Sequence, residues 1–282
     1  MRHTKPLGLA AMAAVAALTL TACGGGDGDG SEPAGGDGGG ETVRIGIKFD
    51  QPGLGFQDGD QYTGFDVDVA KYVAGELGYA EDQIEWVESP SANRENMLAN
   101  DQVDMIFATY SITDERRQTV DFAGPYFVAG QDLLVRADET GITGPEDLEG
   151  KNLCSVTGST SAVKVKEEVP GVNLVEQGGY AECVTFLESG QVDAVTTDDI
   201  ILAGLASTEA NAGKFKVVGN TFSEENYGVG LPKGSDRCEA INEAITKMID
   251  EGAWQEAVTA NTEGADYEFD AQLNPPTPEP CA

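Results

Sequence analysis

Two twelve-residue stretches set the strongest constraint on how this chain can fold: LANDQVDMIFAT (98–109) and LESGQVDAVTTD (187–198), 89 positions apart. They align without a gap, Leu98 with Leu187 and Gln102-Val103-Asp104 with Gln191-Val192-Asp193. Each reads as the end of a helix, a turn and a strand. A unit of this kind used twice predicts two similar lobes. The register sets Thr109 opposite Asp198, each just past the end of its strand. Ligands of open parallel sheets bind outside those carboxyl ends, so facing lobes would bring both residues to one cleft.

The rest of the chain follows the same alternation. VRIGIKFD (43–50) has the two-residue period of a strand. GFDVDVAKYVAGELG (64–78) has the helical period, with Val69, Ala70, Val73, Ala74 and Leu77 on one face, Asp66 placed to cap its start and Gly78 to stop it. QIEWVES is the next strand, NRENMLAND a short helix and VDMIFATYS a buried strand. A further helix is expected after Ser111, with Thr113 as its N-cap. LEGKNLCSVTGSTSAVKVKEEV reads as strand, Gly-Ser-Thr turn and helix, and NYGVGLPKG as one more strand. An amphipathic helix with Ile241, Ala244, Ile245, Met248 and Ile249 follows, then another around Trp254 and Val258. The pattern predicts an α/β fold whose mostly parallel sheets carry helices on both faces. The Pro-rich end, NPPTPEPCA, can extend neither a helix nor a central strand.

The N-terminus reads as an address. Arg2 and Lys5 precede an apolar run from Leu7 to Leu20, and Leu20-Thr21-Ala22-Cys23 closes it. Small residues before a cysteine give residues 1–22 the form of a lipoprotein signal, with Cys23 as the lipidated (palmitate-bearing) first residue of the mature chain. The run is short for a membrane span. Residues 23–40 are Gly-rich and lack large apolar side chains, which suits a flexible tether with a reach of roughly 20–25 Å. The expected location is the outer face of the cytoplasmic membrane. Loss of the signal would leave 15 basic against 49 acidic residues, a formal charge of −34. So negative a body repels nucleic acid and anionic lipid, and contact with a membrane is expected through the anchor only. An anionic ligand would have to be met by locally concentrated positive charge.

The one histidine, His3, lies in the signal. A mature chain without imidazole excludes Ser-His-Asp and Cys-His catalysis and the usual zinc sites, and no metal or cofactor is expected. Four further cysteines, Cys154, Cys183, Cys238 and Cys281, favour disulfides in an exported protein. They allow three pairings, of which Cys154–Cys183 with Cys238–Cys281 closes each pair locally.

ATYSITDERRQTVDFAGPY (108–126) raises the question of a ligand. Arg116 falls in the first turn of the helix expected there, behind the hydroxyls of Thr109 and Ser111. A guanidinium fork, hydroxyls and free helix N–H groups make a carboxylate cradle. An arginine in so acidic a chain is also at home in a surface ion pair. The VTGSTS turn (156–161) offers further hydroxyls at a helix start, and Asp198 the opposite charge. Arginine and aspartate facing each other match the two ends of an α-amino acid zwitterion.

These segments, GFDVDVA, VDMIFATYSITDERRQTVDFAGPY, GSTS and YGVGLPKG, resemble the amino-acid-binding proteins of ABC uptake systems (solute-binding proteins, family 3), over about residues 43–265. KFDQPG, SANRENMLAN and CSVTGST are similar to the glutamate-binding lipoproteins of Gram-positive bacteria. The resemblance implies a two-lobed periplasmic-binding-protein-like (type II) fold. Lobe 1 would comprise 41–130 and 226–270, lobe 2 131–225, and residues 271–282 a tail. The chain would cross between lobes near 128–133 and 222–229. By the same resemblance Arg116 clasps the α-carboxylate with Thr109, Ser111 and Thr160, while Asp198 holds the ammonium. Ser159 and Ser161 line the second lobe, and Lys48 and Arg94 face a distal carboxylate. Ala108 stands where relatives often have a serine, which removes one donor, and Arg117 has no role in the site. The implied function is non-enzymatic: a lipid-anchored monomer that takes L-glutamate to an ABC permease with a cytoplasmic ATPase. Aspartate or glutamine as ligand, a cleft enzyme acting on a small acid, and an amino-acid sensor are the alternatives.

Overall fold

The structure, a computed structural model, describes residues 42–281; the signal, the linker and Cys23 lie outside the described residues. Along the chain run β1 (Val43–Ile47), β2 (Asp50–Gln51), β3 (Gly55–Asp58), β4 (Gln61–Thr63), α1 (Phe65–Glu76), β5 (Ile84–Glu88), α2 (Arg94–Ala99), β6 (Met105–Ile106) and β7 (Val120–Ala129). Then follow β8 (Gln131–Arg136), β9 (Asn152–Val156), α3 (Thr160–Glu168), β10 (Asn173–Gln177), α4 (Tyr180–Glu188), β11 (Ala194–Asp198), α5 (Asp199–Ser207) and β12 (Phe215–Val217). The chain returns through β13 (Glu225–Pro232), α6 (Cys238–Asp250) and α7 (Ala253–Thr262).

These elements build two five-stranded sheets, β5-β1-β6-β13-β7 and β10-β9-β11-β8-β12, the frameworks of a first and a second lobe. β1 pairs parallel with β5 and β6, and β9 with β10 and β11, as strands joined through helices must. β13 runs antiparallel to β6 and β7, and β8 to β11 and β12, because these strands lie next to the crossings and enter their sheets from the opposite direction. β6 and β11, the strands of the two aligned stretches, hold the same central place in their sheets.

The apolar faces go where their periods point. Val69, Ala70, Val73 and Ala74 of α1 are buried with Ile241, Ala244, Ile245 and Met248 of α6 and Trp254 and Val258 of α7. Truncating Trp254, whose indole donates to the Tyr126 carbonyl at 2.7 Å, would cost about 3–5 kcal/mol. In the second lobe, Leu133, Val135, Leu153, Val165 and Ala194 pack between sheet and α3.

Only Gly130 separates β7 of the first sheet from β8 of the second. A Cβ on it would stand 2.7 Å from the Thr221 side chain, so the two crossing segments lie side by side. Cys154 is bonded to Cys183, tying β9 to α4, and Cys238 to Cys281, tying the start of α6 to the tail.

α1 departs from the expected cap. Its N-cap is Gly64, with φ at 119°, and a Cβ there would meet the Leu54 carbonyl oxygen at 2.0 Å, leaving no room for a side chain. Asp66 lies inside the first turn, fully buried.

Candidate functional site

Asp66 is spent on a long-range task. One carboxylate oxygen accepts the Thr109 N–H at 2.9 Å and the other the Tyr126 hydroxyl at 2.7 Å. Burial raises its pKa to about 6 against the opposing pull of those two bonds. Thr109, which receives that bond, has a left-handed conformation (φ 46°). The Thr109 hydroxyl lies 2.7 Å from the Ala108 carbonyl and 3.3 Å from Gln51 Oε1.

The helix expected after Ser111 is a single 3-10 turn, Arg116–Gln118, with the Thr113 hydroxyl accepting the Arg116 N–H at 3.1 Å. β7 begins at Val120, so the chain has no length for more. The turn is too short for a helix-dipole contribution, and the guanidinium carries the positive charge alone. Arg116 is buried; Nη1 donates to the Ser111 carbonyl at 2.7 Å, and Nη2 reaches into the second lobe, to the Gly158 carbonyl at 3.0 Å. Its Nε lies 3.2 Å from Glu95 Oε1. Glu95 also accepts the Tyr110 hydroxyl at 2.8 Å.

From the second lobe, Ser159 caps α3, its hydroxyl accepting the Ala162 N–H at 3.0 Å. Thr160 Oγ1 meets Ser111 Oγ across the cleft at 3.2 Å. The Ser161 hydroxyl donates to Asp198 Oδ1 at 3.4 Å, and the Tyr227 hydroxyl to Oδ2 at 2.6 Å. Tyr227 pairs in turn with Ser111 through an isolated bridge. A polar chain thus runs from Arg116 through Ser111 to Asp198, joining both lobes. Burial, then the negative charge of Glu225, lifts the Asp198 carboxyl well above the usual carboxylate range.

Arg94 and Lys48 are both buried. Arg94 Nη1 donates to the Ala108 carbonyl at 2.8 Å, its Nε has no hydrogen-bond partner among the described residues, and it enters no ion pair there. Burial, then the charge of Arg116, lowers its pKa to about 10. Lys48, whose pKa burial also lowers, has Asp50 Oδ1 at 3.4 Å from its Nζ. Arg117 instead pairs with Glu279 at an exposed site. Beside Arg116 opens a groove of about 610 Å³, lined by Ser91, Glu95, Gly158, Thr160 and Lys164 among others.

Sequence reasoning missed Tyr110, Glu95, Tyr227 and the cleft role of Asp66. An aromatic inside an apolar run reads as core, and the only local signal for Tyr110 was its place between two hydroxyl residues.

A buried cation from the first lobe, Arg116, and a buried carboxyl at the end of β11, Asp198, thus stand along one chain of hydroxyls between the lobes. The chain belongs to the bacterial extracellular solute-binding proteins, family 3, whose model matches residues 43–261. Its family-level function is that of the amino-acid-binding component of an ABC importer, and it binds its solute without transforming it. It is 46% identical over 247 residues to the glutamate-binding protein GluB of Corynebacterium glutamicum, spanning 82% of this chain and 83% of that one. Identity is 37% over 220 residues to the glutamine-binding protein GlnH of Bacillus subtilis, 77% of this chain and 79% of the relative. Among solved structures, an ancestral arginine-binding protein bound to glutamine superposes with a TM-score of 0.72 at 34% identity, covering 78% of this chain and 96% of its own.

Proposed function

We propose that this protein captures L-glutamate outside the cytoplasmic membrane, tethered through lipid on Cys23, and delivers it as a monomer to an ABC permease driven by a cytoplasmic ATPase. In this reading the lobes (41–130 with 226–270, and 131–225) close about the crossings. Arg116, Thr109, Ser111 and Thr160 take the α-carboxylate, Asp198 the ammonium, with Ser159 and Ser161 lining the second lobe. Arg94, with Lys48 adding positive potential, takes the distal carboxylate.

The observation that carries the choice of glutamate is Arg94. A fully buried guanidinium without an anionic partner is costly, and a ligand carboxylate is the partner that removes the cost. The resemblance to GluB supports the same choice. Titration calorimetry of the purified protein with the twenty amino acids tests it: glutamate binds tightest, and equal affinity for glutamine overturns the assignment. Glutamine is the second reading, supported by the resemblance to the glutamine-binding protein GlnH. For the anchor, mass spectrometry of the membrane-associated protein should find acyl chains on Cys23; an unmodified residue there refutes it.

A further inference from the structure

Three glycines of the second lobe lie where the first lobe presses closest. A Cβ on Gly204 would meet the Pro52 carbonyl oxygen at 2.2 Å, one on Gly158 the Ala92 Cα at 2.7 Å, and one on Gly179 the Asp50 Oδ2 at 2.5 Å. Gly179 has ordinary extended backbone (φ −144°, ψ 162°), so its missing side chain answers to Asp50 and not to conformation.

Gly179 is the N-cap of α4 and has no side chain to cap it; the nearest second-lobe carboxylate, Glu182, accepts the Gly178 N–H at 3.1 Å. The first N–H groups of a helix need an acceptor, and a carboxylate is among the best. Asp50 of the first lobe supplies it: Oδ2 accepts the Tyr180 N–H at 3.1 Å, while Oδ1 stays 3.4 Å from Lys48 Nζ. The cap can exist only while the lobes are together.

We propose that Asp50 is a closure latch: aimed by Lys48, it caps α4 from across the cleft and tightens the hold on every ligand without reading the ligand's side chain. This rests on the cleft being the amino-acid site. A capping bond present only in the closed form should improve affinity by between about three- and thirtyfold, through slower release.

The test compares wild type, Asp50→Ala and Gly179→Ala by calorimetry and stopped-flow release with glutamate and glutamine, and by small-angle scattering without ligand. Asp50→Ala should weaken both ligands by the same factor, speed their release and lower the closed fraction of ligand-free protein. Gly179→Ala, whose added methyl displaces Asp50, should do the same with Asp50 and Lys48 intact. A glutamate-to-glutamine affinity ratio that shifts more than about threefold in Asp50→Ala would mean that Asp50 reads the ligand, and overturns the latch. So would unchanged release and scattering. If wild type bound neither amino acid while Asp50→Ala still lost closed population, the latch would stand and the ligand assignment would fall.

Discussion

Arg94 and Arg116 share one aromatic ring: their Cζ atoms lie 4.2 and 4.8 Å from the centroid of Tyr110. The ring face is attractive to each cation, but the two cations repel, and the lowered pKa of Arg94 reflects Arg116 as well as burial. Glu95 offsets part of this by pairing with Arg116 and accepting the Tyr110 hydroxyl. A ligand with two carboxylates would relieve the rest.

The first prediction separates the two arginines. Arg116→Ala should weaken every amino acid by at least about a hundredfold, because the α-carboxylate it is proposed to clasp is common to all of them. Arg94→Ala should weaken glutamate by at least about a hundredfold and glutamine by less than about tenfold, since an unpaired buried charge is worth roughly 3–5 kcal/mol. Calorimetry with both ligands measures both losses; equal losses in the two variants would contradict the division.

Asp198 supports a prediction about pH. Its carboxyl faces Glu225 and Asp199, which raise its pKa after burial, and Tyr227 and Lys164, which lower it; Ser161 donates to its other oxygen. Lobe opening would hydrate the group and return it toward the ordinary value of about 3.9. A pKa raised in the closed form means that its contribution to closure is fully present below that ordinary value and is lost as pH rises through the raised one. Ligand-free protein should therefore open progressively as pH rises from the ordinary carboxylate range. Protein with bound amino acid should stay closed, because in the proposed pose the ammonium supplies the missing counter-charge. Small-angle scattering across pH 4–8, with and without ligand, reads the difference. Asp198→Asn should flatten the ligand-free profile and abolish binding.

Much of this architecture was legible because it is written in local periods. The faces of α1 and α6 and the helix–turn–strand unit that recurs at β6 and β11 are written in short runs of residues. The misread parts depend on distant ones. Asp66 looks like a cap until Thr109, 43 residues on, is seen to claim it. Thr113 to Arg116 looks like a helix start, yet β7 must begin at Val120 and leaves one turn. The burial of Arg94, against Ala108 and Tyr110, likewise depends on residues 14 and 16 positions away, which no local pattern encodes.

The C-terminal tail offers the last prediction. Asn274 is buried against β7, where its side-chain oxygen accepts the Val128 N–H at 2.9 Å and its amide donates to the Val128 carbonyl at 2.8 Å. Farther on, Cys281 is bonded to Cys238 at the head of α6, closing a span of 43 residues. A cross-link over a loop of that length is worth up to about 4 kcal/mol, and two unpaired buried backbone groups about 1–3 kcal/mol each. The Cys238→Ser/Cys281→Ser variant should melt up to roughly 8–16 °C lower, at about 2–4 °C per kcal/mol for a protein of this size, and Asn274→Ala roughly 4–24 °C lower. The two losses should fall short of adding, because a tail released at Cys281 no longer holds Asn274 against Val128. Scanning calorimetry of the two variants and their combination reads the coupling, and strict additivity would show that the disulfide and Asn274 fasten the tail independently.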